Sequence, residues 1–288
     1  MTRNTLTLAM LSLAVAAQAQ DYTFRAVATG LQRPMGIAVE KSGNAAEVYF
    51  TQNPTPGVAG AGSIARLDLR NGQVRVLHSG EPDPVNITLD QGNVYWTCRS
   101  AGVILCLDRR GQTVPVLTGL NRPVGIFADR RTLYFTQVPS PGVMGGANQV
   151  NVWSGGAIGT LSMGEPEPND VLVDGRGNAY WTCTSAGVIL HRNPRGQIQP
   201  LLTGLDRPLG IALGPGGNTL YFTEVPNPGI AGAGNRIVSY DLRKGSRRVI
   251  RSGDPEPTDV AVANDGRVFW TCTSAGVIME ARQRPKGR

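Results

Sequence analysis

Three oxygen-bearing side chains stand at matching places in this chain of 288 residues. Asn86, Asp170 and Asp259 each open a short apolar run, Ile87-Thr88-Leu89, Val171-Leu172-Val173 and Val260-Ala261-Val262. Carboxylate and carboxamide oxygens gathered at one point are the donors that Ca2+ and Mg2+ prefer. An ion held there could polarise a carbonyl or activate a water. Asx residues at the start of a strand also bind backbone N–H groups. That structural reading of the three residues is the preferred one, with the metal as its alternative.

Paired acids lie just upstream of each of them. SGEPDPVN (79–86), MGEPEPND (163–170) and SGDPEPTD (252–259) carry Glu81/Asp83, Glu165/Glu167 and Asp254/Glu256. Two neighbouring carboxylates can divide the work of general acid and general base. The prolines hold such a segment extended, so it reads as a rigid, solvated loop. Arginines recur in a second motif: Arg33 in GLQRPMGI (30–37), Arg122 in GLNRPVGI (119–126) and Arg207 in GLDRPLGI (204–211). These could pair with the acids of a neighbouring loop. His78 and His191 have no nucleophile near them in the sequence, so no Ser-His or Cys-His mechanism is indicated.

The elements that must position these residues come from an internal repeat. VYWTCRSAGVI (94–104) returns as AYWTCTSAGVI (179–189) and VFWTCTSAGVI (268–278). The period is roughly 85–90 residues. Between the copies lie YFTQNPTPG (49–57), YFTQVPSPG (134–142) and YFTEVPNPG (221–229). The two halves of each long repeat share one grammar: a Pro-rich lead-in, a short apolar strand, a turn, and a strand rich in aromatic and β-branched residues. Half-repeats of roughly 40–50 residues with four short strands are propeller blades. Gly36, Asn86, Gly125, Asp170, Gly210 and Asp259 mark six of them. The predicted fold is therefore an all-β, six-bladed propeller with pseudo-threefold symmetry. Its last blade runs out of chain. The N-terminal strand 22–30 is expected to complete that blade and close the ring, which removes two sheet edges.

In such a ring the Arg loops, the acidic loops and the long loops Asn53–Gly62, Val138–Asn148 and Val225–Asn235 share one face. Arg33, Arg122, Arg207, Glu81, Glu165, Glu167, Asp254 and Glu256 are the candidate partner-binding residues there. Cys98, Cys183 and Cys272 fall on second strands. Strands are about 4.8 Å apart, so second strands stand roughly 10 Å or more from the axis. That separation excludes one zinc ion, whose Zn–S bonds are about 2.3 Å, and disulfides among the three. Cys106 is on the hairpin partner of Cys98, with the register offset by roughly two residues. No disulfide is expected. Trp96, Trp181 and Trp270 read as packing between blades.

The RPxGI lead-ins, the LYWT-like second strands and a third strand such as VILCLDRRG (103–111) together resemble the YWTD repeats of lipoprotein receptors and NHL-repeat propellers. PNDVLVDGRGNAYW (168–181) is similar to the senescence-marker/gluconolactonase family. The resemblance covers almost all of the chain after residue 19. It implies the propeller fold, and its members include receptors, scaffolds and enzymes. Cys occupies the fourth YWTD position three times, so the receptor-type Asp contact is absent. The gluconolactonase resemblance implies a divalent metal at the channel mouth, with Asn86, Asp170 and Asp259 as ligands. Asn169-Asp170 matches that family's Asn-Asp pair and Asp259 its later Asp. Its first-blade Glu has no counterpart, because that strand begins Met35-Gly36.

Residues 1–19 read as a signal peptide. Arg3 is followed by an apolar run from Leu6 to Ala17 and a small-x-small site at Ala17-Gln18-Ala19. The run is too short to span a bilayer, and none is expected later. Residues 20–288 are then one periplasmic or secreted domain, expected to be monomeric. The net charge is +7, mostly from scattered arginines. Without a basic stripe and interleaved aromatics, nucleic acid is not an expected partner. The reading preferred is a module that binds a protein, small molecule or glycan through the loop-rich face. The alternatives are a Ca2+- or Mg2+-dependent lactonase-like hydrolase and a structural envelope or matrix protein.

Overall fold

The computed structural model of the chain describes residues 21–40, 46–55, 60–139, 147–226, 228 and 234–284. The leader segment 1–19 and parts of the three long loops lie outside them. The described residues form six four-stranded antiparallel sheets arranged as a ring of blades. Strand β1 (Tyr22–Ala28) comes first. Blade 1 is β2 (Pro34–Val39), β3 (Glu47–Gln52), β4 (Gly62–Asp68) and β5 (Val74–Glu81). Blade 2 is β6 (Pro84–Asp90), β7 (Asn93–Cys98), β8 (Val103–Leu107) and β9 (Thr113–Leu117). Blade 3 is β10 (Pro123–Asp129), β11 (Thr132–Gln137), β12 (Gln149–Ser154) and β13 (Ala157–Met163). Blade 4 is β14 (Pro168–Val173), β15 (Ala179–Cys183), β16 (Val188–Arg192) and β17 (Ile198–Leu202). Blade 5 is β18 (Pro208–Leu213), β19 (Thr219–Glu224), β20 (Arg236–Asp241) and β21 (Ser246–Ser252). Blade 6 is β22 (Pro257–Val262), β23 (Val268–Cys272) and β24 (Val277–Gln283), with β1 as its outer strand.

Ring closure follows the expectation. β1 pairs antiparallel with β24, Tyr22 opposite Gln283 and Ala26 opposite Met279. Arg25 donates to the buried Glu280 carboxylate through Nη2 (2.6 Å) and Nε (3.0 Å). Leu31 N then donates to Gly276 O (2.9 Å), as Leu120 does to Gly102 and Leu205 to Gly187. Those three glycines have positive φ, and a Cβ on each would stand 2.2–2.3 Å from the carbonyl oxygen of the leucine that donates to it. The SAG turns therefore need glycine both for conformation and for contact.

Each inner strand begins at a proline two residues before its blade marker, at Pro34 before Gly36 in blade 1. A bulge lies between them. Pro34 pairs with Gln52, the register then shifts, and pairing resumes at Ile37–Phe50. Proline can start a strand because its missing N–H is not needed there. The same shift occurs in every blade. It leaves one N–H per inner strand outside the ladder, and a buried N–H must find a partner.

A threonine on the second strand supplies it. Thr51, Thr97, Thr136, Thr182, Thr223 and Thr271 are all fully buried. Each Oγ1 accepts the N–H of its own blade's Gly36, Asn86, Gly125, Asp170, Gly210 or Asp259, at 2.8–3.2 Å. Each also donates to an inner-strand carbonyl of the next blade, at 2.6–3.4 Å. One hydroxyl thus repairs the bulge and ties two blades together.

Apolar packing fills the rest of each blade interface. Trp96 packs with Ile64 and Ile87, Trp181 with Val150 and Val171, and Trp270 with Ile237 and Val260. Each indole of an even blade thereby covers the third strand of the blade before it. All three are fully buried. Truncating such a residue costs about 3–5 kcal/mol.

Candidate functional site

The bulges bring Asn86, Asp170 and Asp259 to the axis of the ring. Each is buried, at 8%, 4% and 5% exposure. Asp170 Oδ1 accepts from Val171 N (2.8 Å) and from Asn86 Nδ2 (3.1 Å), and its Oδ2 accepts from Ile211 N of blade 5 (2.9 Å). Asp259 Oδ1 accepts from Val260 N (2.8 Å), and its Oδ2 accepts from Ile37 N of blade 1 (2.8 Å). Asn86 Oδ1 accepts from Ile87 N (2.6 Å). The three form a collar in which Asp170 and Asp259 stitch even blades to odd ones and Asn86 joins blade 2 to blade 4.

Glycine in the odd blades makes room for this collar. A Cβ on Gly36 would lie 2.6 Å from Asn86 Cα, one on Gly125 2.7 Å from Asp170 Cα, and one on Gly210 2.6 Å from Asp259 Cα. The asymmetry at Asn86 has an electrostatic consequence. A third carboxylate there would face Asp170 across the axis, whereas the carboxamide donates to it. Even so, burial pushes the Asp170 carboxyl up to about 7. Burial, and then the nearby Asp170 charge, raise Asp259 well above the usual carboxylate range.

This donor set does not fit a Ca2+ or Mg2+ cage. Such ions want six or more oxygens. Here Asn86 turns its N–H2 toward Asp170, and every carboxylate oxygen already takes an amide N–H. Among the described residues no cluster of three acidic, His or Cys ligands gathers anywhere. On the loop side, Met35, Val85 and Val124, which precede Gly36, Asn86 and Gly125, pack together with Val138 as an apolar cover. On the other side the inner strands enclose a cavity of about 580 Å3 that runs from the collar to the hairpin turns.

The acidic motifs behave differently from a solvated loop. Their first acids point inward. Glu81 is 2% exposed and accepts from Trp96 Nε1 (2.9 Å), Cys98 Sγ (3.0 Å) and His78 Nε2 (2.9 Å). Asp254 accepts from Trp270 Nε1 (2.9 Å) and Arg251 Nε (3.0 Å). Glu165 is bound by Ser162 Oγ, with Cys183 Sγ 3.8 Å away. These three acids anchor their loop to the tryptophan strand. Sequence reasoning had placed them on the surface; the signal it missed was the Trp-Thr-Cys segment that always accompanies them.

The second acids and the arginines do form one ring. Arg33, Asp83, Arg122, Glu167, Arg207 and Glu256 occupy one equivalent position in each blade, with φ between 50° and 59°. A non-glycine residue pays about 1–2 kcal/mol for that conformation. It is held there because each carbonyl accepts the N–H that follows the second strand, at 3.0–3.2 Å, from Asn53, Arg99, Val138, Thr184, Val225 and Thr273 respectively. Charge alternates around the ring: plus, minus, plus, minus, plus, minus. Asp83 is buried and bound by Arg99 (Nε, 2.9 Å) and Asn53 (Nδ2, 2.5 Å), not by an arginine of the ring. Arg122 and Arg207 are exposed, while Arg33, Glu167 and Glu256 are half-buried. Arg207 lines a small surface cleft with Asp206, Leu205 and Pro226.

The remaining candidates are structural. All four cysteines are buried free thiols. Cys98 pairs in register with Val103 and Cys106 with Tyr95, an offset larger than expected. Burial and then the Glu81 carboxylate push the Cys98 thiol up, which leaves it unreactive. His191 stacks on Tyr180 and bonds Asn178, away from the channel. No described helix is long and apolar enough to cross a membrane.

No protein-family model matches the chain. It is similar to Low-density lipoprotein receptor-related protein 1 of Pyricularia oryzae, 26% identical over 281 residues, which covers 83% of this chain and 88% of that protein. A solved streptogramin B lyase superposes with a TM-score of 0.64 at 16% identity, covering 93% of this chain and 99% of the lyase. A chain of a nidogen/laminin complex superposes at 0.60 and 21% identity, covering 74% of this chain and 78% of that one. The protein is a six-bladed β-propeller, similar in fold to a lyase and to a nidogen/laminin chain and in sequence to a receptor-related protein.

Proposed function

We propose that the chain is an exported propeller that binds a protein partner through its loop-rich face. The observation that carries this reading is the ring of Arg33, Arg122, Glu167, Arg207 and Glu256, exposed or half-buried, with Asp83 already buried against Arg99 at the sixth position. Each backbone is pinned in a left-handed conformation, so the charged side chains leave a preorganised frame. Preorganisation lowers the ordering cost of association. Fixed charges of both signs select a partner of complementary pattern and fix its register. The likeness to a receptor-related protein and to a chain of a nidogen/laminin complex supports a protein as that partner. Export rests on the leader pattern of residues 1–19.

The metal-dependent hydrolase is the weaker reading. The lyase likeness favours an enzyme, but the collar oxygens are engaged by amides and covered from the loop side. The test is proximity labelling by the exported protein in its host. A partner enriched by wild type and lost with Arg122→Glu plus Arg207→Glu, at unchanged melting temperature, supports the face. Equal enrichment by the charge-reversed protein removes it.

A further inference from the structure

The central cavity opens on the face opposite the loops, where Gln91, Gly92, Arg130 and Gly175 of the hairpin turns form its rim. Its middle is apolar. Ala38, Leu89, Phe127, Val173, Ala212 and Leu213 line it and are only half-buried. At about 580 Å3 it is of the size that holds a drug-sized molecule.

The charge of its wall runs against that of the chain. The protein carries +7. Among the described residues the wall carries Glu40, Asp90, Asp129, Asp170, Asp174 and Asp259 against one arginine, Arg130 at the rim. An acidic mouth with low-dielectric walls concentrates cations.

The floor has a matching need. Asp170 and Asp259 take N–H groups from Val171, Ile211, Asn86, Val260 and Ile37, all of them neutral donors. An ionised carboxylate offers about four acceptor sites, so each retains capacity. Among the described residues no cationic side chain reaches either one. Two carboxylates buried together without a countercharge are costly. A proton relieves that cost, and so does a cationic ligand.

We propose that this cavity binds an amphipathic organic cation, a primary or secondary ammonium on an apolar body, seated head-first against Asp170 and Asp259. The ammonium supplies both the missing charge and N–H donors for the unused lone pairs. The apolar body replaces water along Leu89, Phe127 and Leu213. A divalent ion would find too few free oxygens, an anion would meet the wrong charge, and a neutral molecule would leave the carboxylates uncompensated. This site is on the other face from the partner ring, so either assignment can fail alone.

The test is calorimetric titration of the purified protein with n-hexylammonium chloride, 1-hexanol and sodium hexanoate, beside CaCl2 and MgCl2, with melting curves in each. Hexylammonium should bind once per chain and raise the melting temperature. Hexanol should bind about tenfold more weakly or not at all, roughly the worth of one favourable charged contact. Asp259→Asn should erase the preference for ammonium over alcohol. Ala212→Phe narrows the cavity beside Leu213 without removing a carboxylate, so it should weaken hexylammonium and hexanol binding alike while the protein still melts cooperatively. The proposal is overturned if hexanol binds as tightly as hexylammonium, or if Ala212→Phe binds normally. It is equally overturned if Ca2+ or Mg2+ alone gives the same shift and Asp259→Asn removes it.

Discussion

Thr271 in the last blade donates its hydroxyl to the carbonyl oxygen of Met35 in the first, 2.7 Å away. It joins the two ends of the ring from the inside, as β1 does from the outside. Five other threonines make the equivalent contact between successive blades. Replacing Thr97 with valine keeps the shape but strands the Asn86 N–H and the Val124 carbonyl. Each unpaired buried group costs about 1–3 kcal/mol. Thr97→Val should therefore lower the urea midpoint by an amount worth about 2–6 kcal/mol, with Thr97→Ser close to wild type. An unchanged midpoint in the valine variant would show that the relay carries no weight.

Closure from outside makes a different prediction. Deleting residues 20–30 exposes the β24 edge and strips Arg25 from Glu280, which is 2% exposed and keeps only the longer contact to Arg282. The whole ring should then melt earlier in one step, with near- and far-UV circular dichroism moving together. A peptide of residues 20–30 added in trans should recover part of the loss. Fraying limited to a terminus, with the main transition unmoved, contradicts this role for β1.

Gly210 and Gly175 should respond oppositely to alanine. A Cβ on Gly210 lies 2.4 Å from Asp259 Oδ1 and 2.6 Å from its Cα, so blades 5 and 6 must part. Overpacking of that kind costs about 1–3 kcal/mol. A Cβ on Gly175 meets nothing within 4 Å. Gly175→Ala should be neutral or slightly stabilising, because it restricts the unfolded chain. Equal midpoints for the two variants would rule out close blade contact at Gly210.

The collar also sets a pH dependence. Burial raises Asp170 from 3.8 to about 7, and Asp259 moves in the same direction. A carboxyl whose folded pKa lies above its unfolded value binds more protons when folded. Its stabilising contribution is complete below the unfolded pKa near 4. It is lost progressively as pH rises toward about 7. Chemical denaturation between pH 4 and 8 should show this decline, and Asp170→Asn should flatten it. A wild-type profile that rises through the window instead would mean that the pair is ionised and otherwise compensated.

Chelation gives the fifth expectation. Because the acceptor sites left on Asp170 and Asp259 fall short of the six or more oxygens that Ca2+ and Mg2+ want, EDTA should leave the melting temperature unchanged. One tightly held Ca2+ per chain, lost together with stability on chelation, would restore the metal reading of Asn86, Asp170 and Asp259.

Much of the architecture was legible because repetition exposes it. The thrice-repeated Trp-Thr-Cys segment and the paired half-repeats set the blade count, and the unfinished last blade pointed to Tyr22–Ala28. The collar residues were legible as well, since each opens an inner strand. Their partners were not. Ile211 N is 41 residues from Asp170, and Ile37 N is 222 from Asp259. Nothing local marks a bond to the next blade. Thr97 was visible in every repeat, but its work lies at a bulge that no alternation of apolar residues announces. Glu81 was misplaced for a related reason. Flanking prolines suggest an exposed loop, whereas the indole of Trp96 draws the side chain inward.

The nesting of glycine against Asx imposes a rule of parity on the ring. Each bare Gly36, Gly125 or Gly210 is the socket for the Asx that follows it, and each Asx must be followed by another socket-bearing blade. Adding or removing one blade would set socket beside socket, leaving a hole, or Asx beside Asx, forcing a collision. Only blades gained or lost in pairs keep the alternation intact, so relatives that share this inner pattern should differ from it by two blades and never by one.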